Sequence, residues 1–150
     1  TIIELIMVMI IIGVLAAVAI PRFQDIVIES EVAVEQRIIQ TISDGLETYA
    51  REMYVSNGVR SWPENPFVAL SKLPPDYDSD LFVLSAMKDR DWIFTGDGNN
   101  EAYNNTIAHL RKSDSIATWS YDPSTGVIGY NGAPFAPMSV VHRVNETGGN

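Results

Sequence analysis

Glu4 is the residue whose position most clearly implies chemistry, because it stands at the head of a long apolar run. From Leu5 to Ile20 no side chain is polar. With Ile2 and Ile3 the apolar length reaches roughly 20 residues, enough for a helix to cross a bilayer. An ionisable residue in such a segment costs on the order of 2.5–3.5 kcal/mol at mid-membrane. Glu4 is therefore interpreted as functional, and a cationic partner for its carboxylate is expected.

Catalytic combinations are sparse in the rest of the sequence. There are two histidines, His109 and His142, and no cysteine, which excludes disulfides, thiolate metal sites and cysteine nucleophiles. His109 with Ser113 and Asp114 has the residue types of a hydrolytic triad, but a histidine in a linker between strands is more often a surface or hydrogen-bonding residue. Neither a glycine-rich phosphate loop nor a nucleophile elbow occurs. We predict no catalytic residue and a protein that is not an enzyme.

Surface loops carry candidates for metal binding and modification. Asp97, Asn99 and Glu101 form an oxygen-rich loop that would suit calcium, although hairpin turns favour the same residue types. We predict no cofactor and no metal, with these three residues kept as calcium candidates. Asn104 and Asn145 each begin an Asn-X-Thr pattern and are candidate glycosylation acceptors.

Composition sets limits on size and on partners. The 150 residues allow one domain plus an extension. The net charge of -9 implies an acidic surface, and non-specific binding to nucleic acid needs clustered Lys and Arg. No nucleic acid partner is therefore expected.

A long helix is predicted to position Glu4. Gly13 and Pro21 weaken a helix, so we expect it to be kinked or partly unwound between them. After Pro21, apolar residues recur at three- and four-residue steps interrupted by Glu35, which is typical of an amphipathic helix. The helix is expected to end around Asn57-Gly58, a pair prone to the left-handed conformation. The apolar positions are Ile28, Val32, Ile39, Ile42, Leu46, Tyr49 and Met53.

Strand patterns follow the helix. Residues 116–121 alternate, 122–126 form a turn and 127–130 complete a predicted hairpin. A further strand is predicted within 138–144, and the patterns at 81–84 and 91–94 indicate two more. Short helical turns are expected over 67–73.

These elements predict an α+β fold, in which the long N-terminal helix packs on a small antiparallel sheet. Three segments are predicted: a hydrophobic membrane or filament-core helix over 1–25, its amphipathic continuation over 26–55, and a C-terminal globular domain over 56–150.

The N-terminal stretch resembles mature type IV pilins and the pseudopilins of type II secretion. The resemblance covers about the first 25 residues closely and the remainder in outline. In the family a methylated Phe precedes this stretch, so we expect a processed chain whose first residue is absent from the sequence or different. The matching residues are Thr1, Ile3, Glu4, Leu5, Gly13, Leu15, Ala16, Ala17, Ala19, Ile20, Pro21, Phe23, Gln24 and Asp25.

The resemblance implies a major pilin that is stored in the inner membrane and polymerises into an extracellular filament. It implies that Glu4 pairs with an N-terminal amine, and that the segment between Gly13 and Pro21 unwinds in the filament. Identical subunits, a prepilin peptidase that also methylates, an assembly ATPase and a platform protein are the implied partners. The implied filament-core residues are Leu5, Ile6, Ile10, Leu15 and Ile20.

Other functional classes stay open at this point. The absence of a cysteine pair and the Trp119–Tyr121 hairpin favour a pseudopilin that forms a short periplasmic filament. A monomeric membrane-anchored binding module is a further alternative, and it gives Glu4 no role beyond solubility.

Overall fold

The helix α1 runs from Ile2 to Asn57 in the computed structural model, which describes residues 1–88, 90–96, 104–112, 115–129 and 140–142. The α-helix continues through Gly13 and Pro21, so the single chain is not unwound between them. Unwinding in a filament stays a prediction. The predicted end of the helix is confirmed, because Gly58 adopts a φ of 73° and donates its N–H to Tyr54 O at 2.9 Å.

Two compact units divide the chain, Thr1–Val34 and Glu35–Asn150, and each is described by itself. The first consists of the N-terminal part of α1. The second contains the remainder of α1 and all the strands described here. The predicted segments 1–25, 26–55 and 56–150 have other boundaries and stay predictions.

The sheet of the second unit is antiparallel and has five strands in the described part of the chain. β1 (Trp92–Thr95) pairs with β2 (Thr106–Leu110), and β2 pairs with β3 (Ser115–Asp122). β4 (Val127–Gly129) and β5 (Val140–His142) pair with opposite ends of β3. Together with α1, this sheet confirms the predicted α+β fold.

Several predicted strands are confirmed. The hairpin of β3 and β4 joins through the expected turn, β1 lies where the 91–94 pattern placed a strand, and β5 lies within 138–144. Residue 130 lies outside the described residues.

Three sequence predictions were wrong. The 81–84 pattern forms no strand; a 3₁₀ turn begins there instead, at Leu84–Ala86. The turns expected over 67–73 reduce to a 3₁₀ turn, Pro66–Ala69, in which the Asn65 side chain accepts a hydrogen bond from the Phe67 N–H. β2 was read as a linker, because its residues Thr106–Leu110 are buried on both faces and lack a polar alternation.

Both faces of the sheet are covered. On one face, α1 packs through Ile42 and Leu46 against Trp92, Phe94 and further side chains of β2 and β3. The opposite face is covered by the 81–87 segment, and its cluster contains Leu84, Met87, Ile93, Ala108, Leu110 and Ile116. The all-buried pattern of β1 and β2 follows from this double cover.

The loop before the first 3₁₀ turn is fixed to the β3–β4 hairpin. Tyr121 donates its hydroxyl to Pro63 O at 2.6 Å, and burial raises the pKa of this phenol to about 12. Gly126 adopts a φ of 71°, and a Cβ there would lie 2.2 Å from Trp62 Cδ1. Only glycine therefore fits beneath the Trp62 ring.

Candidate functional site

The N-terminal unit presents an apolar surface that nothing in the unit covers. The five side chains predicted to form a filament core are 49–64% exposed: Leu5, Ile6, Ile10, Leu15 and Ile20. From residue 2 to residue 20 only Ala16 is even half-buried. α1 also contains a segment long and apolar enough to cross a membrane, judged by length and composition. A continuous exposed apolar surface of this kind marks a site of association with other apolar material.

Glu4 lies at the head of this surface beside a positive charge. The Thr1 amine is 3.2 Å from Glu4 Oε2, one helical turn away, and both groups are 82% exposed. Both groups are thus open to their surroundings. The pairing of Glu4 with the amine of another chain stays a prediction.

Gly13 and Pro21 differ in what they do to α1. A Cβ added at Gly13 would meet nothing within 4 Å, so no contact in the single chain requires a glycine there. Pro21 lies inside the helix and cannot donate a hydrogen bond to Ala17 O. Both residues therefore weaken the helix in a part of α1 whose side chains are exposed.

A second ionisable cluster lies buried in the other unit. Glu35, on α1, accepts bonds from Arg111 Nε at 2.8 Å and from Arg111 Nη2 at 2.6 Å, a bidentate ion pair. His109 Nδ1 lies 2.6 Å from Glu35 Oε1. The His109 ring also stacks on Trp92 with centroids 4.4 Å apart. Glu35 is 0% exposed. Its contacts with His109 in β2 and with Arg111, the residue after β2, connect α1 to the sheet.

The cluster keeps the Glu35 carboxyl ionised. Burial by itself raises the pKa of Glu35, but the hydrogen bonds and charges of Arg111 and His109 outweigh burial and lower this pKa below its ordinary value. Since Glu35 Oε1 accepts the hydrogen bond, the Nδ1 atom of His109 carries the hydrogen. Both partners donate and Glu35 accepts. We call these three residues the clamp, because they hold α1 against β2.

Sequence reasoning missed this cluster. It noted Glu35 only as an interruption of the apolar seam, placed His109 in a linker, and did not consider Arg111. His109 in fact lies in β2 and is 7% exposed. The usable signal was Glu35 itself, because a carboxylate in a buried seam needs a cationic partner from the facing strands. The other residues of the suggested triad, Ser113 and Asp114, lie outside the described residues.

Among the remaining candidates, Asn104 lies within the described residues. Asn104 is exposed in the turn before β2, and its carbonyl accepts a hydrogen bond from Thr106 Oγ1 at 3.1 Å. Asn145 and the calcium candidates Asp97, Asn99 and Glu101 lie outside the described residues. Within the described ranges, no group of three or more His, Asp or Glu side chains could hold a metal ion.

The fold and the exposed helix together have the architecture of a known class of protein. A long helix with an apolar head, whose later part covers a small antiparallel sheet, is the α+β architecture of type IV pilins.

Two curated relatives match the chain, both described as type IV major pilin protein PilE1 from Neisseria gonorrhoeae. One is 32% identical over 113 residues, which are 75% of this chain and 59% of the relative. The other is 28% identical over 134 residues, 89% of this chain and 74% of the relative. No family model matches the chain, and no solved structure matches it significantly.

These matches confirm the resemblance to pilins that the first 25 residues indicated. The chain is related to the type IV pilins, and the relationship supports a pilin-like structural role. The chain spans 59% of the length of the first relative and 74% of the second.

Proposed function

We propose that this chain is a major pilin, stored in the inner membrane and polymerised through α1 into an extracellular type IV pilus-like filament. The observation that carries the proposal is the N-terminal part of α1, which exposes apolar side chains in every direction from residue 2 to residue 20. A helix that is apolar all round needs either lipid or a bundle of other helices around it. In the proposed function, the membrane provides lipid before assembly and the filament provides a bundle of helices afterwards.

Transfer between the two environments must avoid water. Each large apolar side chain left in water forfeits about 1.5–3 kcal/mol of burial free energy. Leu5, Ile6 and Ile10 are each about half or more exposed in the single chain, so a subunit that left the lipid alone would be strongly disfavoured. Direct passage from the bilayer into a bundle of identical helices keeps these side chains covered.

Glu4 would direct this passage. Within one chain its carboxylate lies near the Thr1 amine, but both groups are exposed and free to exchange partners. A carboxylate that enters an apolar bundle unpaired carries a large desolvation cost, whereas one that meets the neighbouring subunit's amine does not. The pairing would therefore favour one axial position of the incoming subunit relative to its neighbour and disfavour all other positions.

Energy and processing would come from partners. The resemblance to pilins implies a prepilin peptidase that also methylates, an assembly ATPase and an inner-membrane platform protein. The inner membrane would hold the precursor pool, and the filament would lie at the cell surface.

A pseudopilin is the second candidate, and one observation favours it. The chain has no cysteine, whereas the resemblance to pilins would lead us to expect a disulfide that closes a C-terminal loop. Against this, both curated relatives are described as major pilins. We therefore place the pilus first.

Electron microscopy of filaments sheared from cells tests the proposal. We compare the native chain with Glu4→Ala and with Glu52→Ala, a matched control because Glu52 is an exposed carboxylate on the same helix outside the apolar run. The native chain and Glu52→Ala should give long filaments, and Glu4→Ala few or none. An immunoblot of the membrane fraction checks that each variant accumulates.

The outcomes separate the alternatives. Short filaments confined to the periplasm would favour the pseudopilin, and no filament from the native chain in its own host would favour a monomeric anchored module. Abundant filaments from Glu4→Ala would keep the class of protein but remove the pairing mechanism.

A further inference from the structure

Two arginines of the second unit converge on one carboxylate. Arg51 Nε donates to Glu47 Oε1 at 3.1 Å, and Arg60 Nη2 donates to Glu47 Oε2. These three residues, which we call the arginine cluster, carry two positive charges and one negative charge. They do so in a chain whose net charge is -9, so the cluster is a local exception to an acidic composition.

The arginine cluster keeps hydrogen-bond donors for another molecule. A guanidinium has five N–H donors, and within the described part of the chain Arg51 uses only Nε and Arg60 only Nη2. The Arg51 side chain is 74% exposed and that of Arg60 is 45% exposed. Arg60 also lies over the Trp62 ring, 5.7 Å from its centroid, so its guanidinium is held from two sides. Held guanidinium groups with spare donors suit carboxylates.

An exposed acidic segment is held beside the start of β1. It contains Asp76, Asp78 and Asp80, which are all exposed and form no salt bridge among the residues that the structure describes. Trp92 N–H donates to Asp76 O at 2.9 Å, and Asp78 N–H donates to Trp92 O at 3.0 Å. Arg90 is also exposed near the start of β1, but none of the three carboxylates pairs with it.

The acidic segment and the arginine cluster lie at opposite ends of the sheet. Trp92, beside the acidic segment, is level with Ala117 near the start of β3, because both pair with the same residue of β2. Trp62, beside the arginine cluster, lies against Gly126 in the turn that follows β3. Between Ala117 and the end of β3 the strand advances about 17 Å. The second unit thus has a cationic group at one end and an anionic segment at the other.

We propose that the arginine cluster of one subunit binds the acidic segment of a second copy of this chain, so that the second units of successive subunits associate head to tail. This proposal rests on the proposed function. A contact between two different surfaces of identical subunits is heterologous, and its repetition builds an open filament when the rotation does not close a ring.

Charge complementarity identifies a second copy as the occupant. Copies that each carry a net charge of -9 repel one another unless opposite charges meet where they touch. Subunits that point in the same direction along a filament present opposite ends to each other, so the arginine cluster meets the acidic segment. An unrelated anionic ligand would use the arginines and leave the acidic segment without a role, whereas a second copy uses both.

Charge exchange in the full-length chain tests the pairing. Arg51→Glu and Asp80→Arg are each compared with the double exchange and with Arg37→Glu, a matched control because Arg37 is an exposed arginine on the same helix. Each single exchange should lower the yield of sheared filaments by about tenfold, which corresponds to about 1.4 kcal/mol. The double exchange should recover most of the yield, and Arg37→Glu should leave it unchanged. Urea midpoints followed by tryptophan fluorescence show that each variant folds.

Engineered cysteines give a direct readout, because the sequence contains no cysteine. A chain with both Arg51→Cys and Asp80→Cys is assembled, and its filaments are oxidised and run on a non-reducing gel. Since each copy then has one cysteine at either end of the second unit, a ladder of cross-linked multimers is expected. Arg51→Cys alone should give no cross-link, and neither should Arg37→Cys combined with Asp80→Cys.

Three results would overturn the proposal. One is native filament yield from both single exchanges. Another is failure of the double exchange to recover assembly, as expected if the arginines bind an anion of another kind. The third is the absence of a ladder in filaments that form. No filaments from the native chain would overturn the proposed function as well, so the two failures are distinguishable.

Discussion

Glu4 and Glu35 are carboxylates on the same helix, yet they lie in opposite environments. Glu4 is 82% exposed, and within the described residues its carboxylate lies 3.2 Å from the Thr1 amine of its own helical turn. Glu35 is fully buried, and it accepts two bonds from Arg111 and one from His109, which are distant in sequence. One carboxylate is thus available to another chain, and the other is committed to its own fold.

The contrast shows what fixes the role of an ionisable group on a helix. Around Glu4 the neighbouring side chains are apolar and exposed, so its environment depends on whatever covers them. Around Glu35 the sheet already supplies cover and cations, so nothing further is required of the surroundings. The first unit exposes its apolar side chains, whereas the buried carboxylate Glu35 of the second has its partners within the same unit.

The largest expected effect comes from removing the buried member of this contrast. Glu35→Ala removes the carboxylate that pairs with buried Arg111, and breaking a buried pair in this way costs about 3–5 kcal/mol. The free energy of unfolding of the full chain in detergent, measured with urea and tryptophan fluorescence, should fall by that amount. Glu4→Ala should leave the unfolding midpoint unchanged, because Glu4 is exposed.

An isosteric variant sharpens this test. Glu35→Gln keeps the shape of the side chain and loses the charge, so a loss of stability similar to that of Glu35→Ala would assign the effect to the ion pair. A midpoint unchanged in both variants would contradict the clamp.

The sequence foretold the first unit better than the second for a physical reason. An apolar run with a single charge at its head is a local pattern, so the helix and its exposed apolar side chains could be predicted from neighbouring residues, whereas the role of Glu4 stays a prediction. The Glu35 cluster depends on residues 74 and 76 positions away, which only the sheet brings together. The two-residue period of strands and the 3.6-residue period of helices do not predict contacts between residues so far apart in the sequence.

Strand β2, which was read as a linker, also shows that contacts distant in sequence are hard to predict. Strand β2 carries buried Thr106 and His109 among apolar residues, because one face lies against α1 and the other under the 81–87 segment. The alternation of apolar and polar residues that identifies a strand requires one solvent-exposed face of the sheet. Here both faces at β2 are buried. The hairpin of β3 and β4 was predictable, since its turn chemistry is contained in five consecutive residues, Asp122 to Gly126.

Glycines offer a second, smaller contrast between the two units. Gly126→Ala must place a Cβ where the Trp62 ring lies and hold a φ of 71°, at a cost of about 1–3 kcal/mol. Gly13→Ala meets no atom within 4 Å and should instead favour the helix, by up to about 1 kcal/mol. Urea unfolding of the two variants should therefore differ, with a lowered midpoint for Gly126→Ala alone. Equal midpoints would mean that the loop does not depend on its glycine.

Acid should weaken the second unit through Glu35, and this is the subtlest expected effect. The pKa of Glu35 in the folded chain lies below its ordinary value of 4.5, so the unfolded chain takes up this proton first. The contribution of Glu35 to stability is therefore complete above pH 4.5 and is lost as the pH falls through the folded-state pKa. Asp122 and Glu47 also have lowered pKa values, and they titrate in the native chain and in Glu35→Gln alike. Urea midpoints followed into acid should fall more steeply for the native chain than for Glu35→Gln, and parallel curves would show that the buried carboxylate does not link folding to pH.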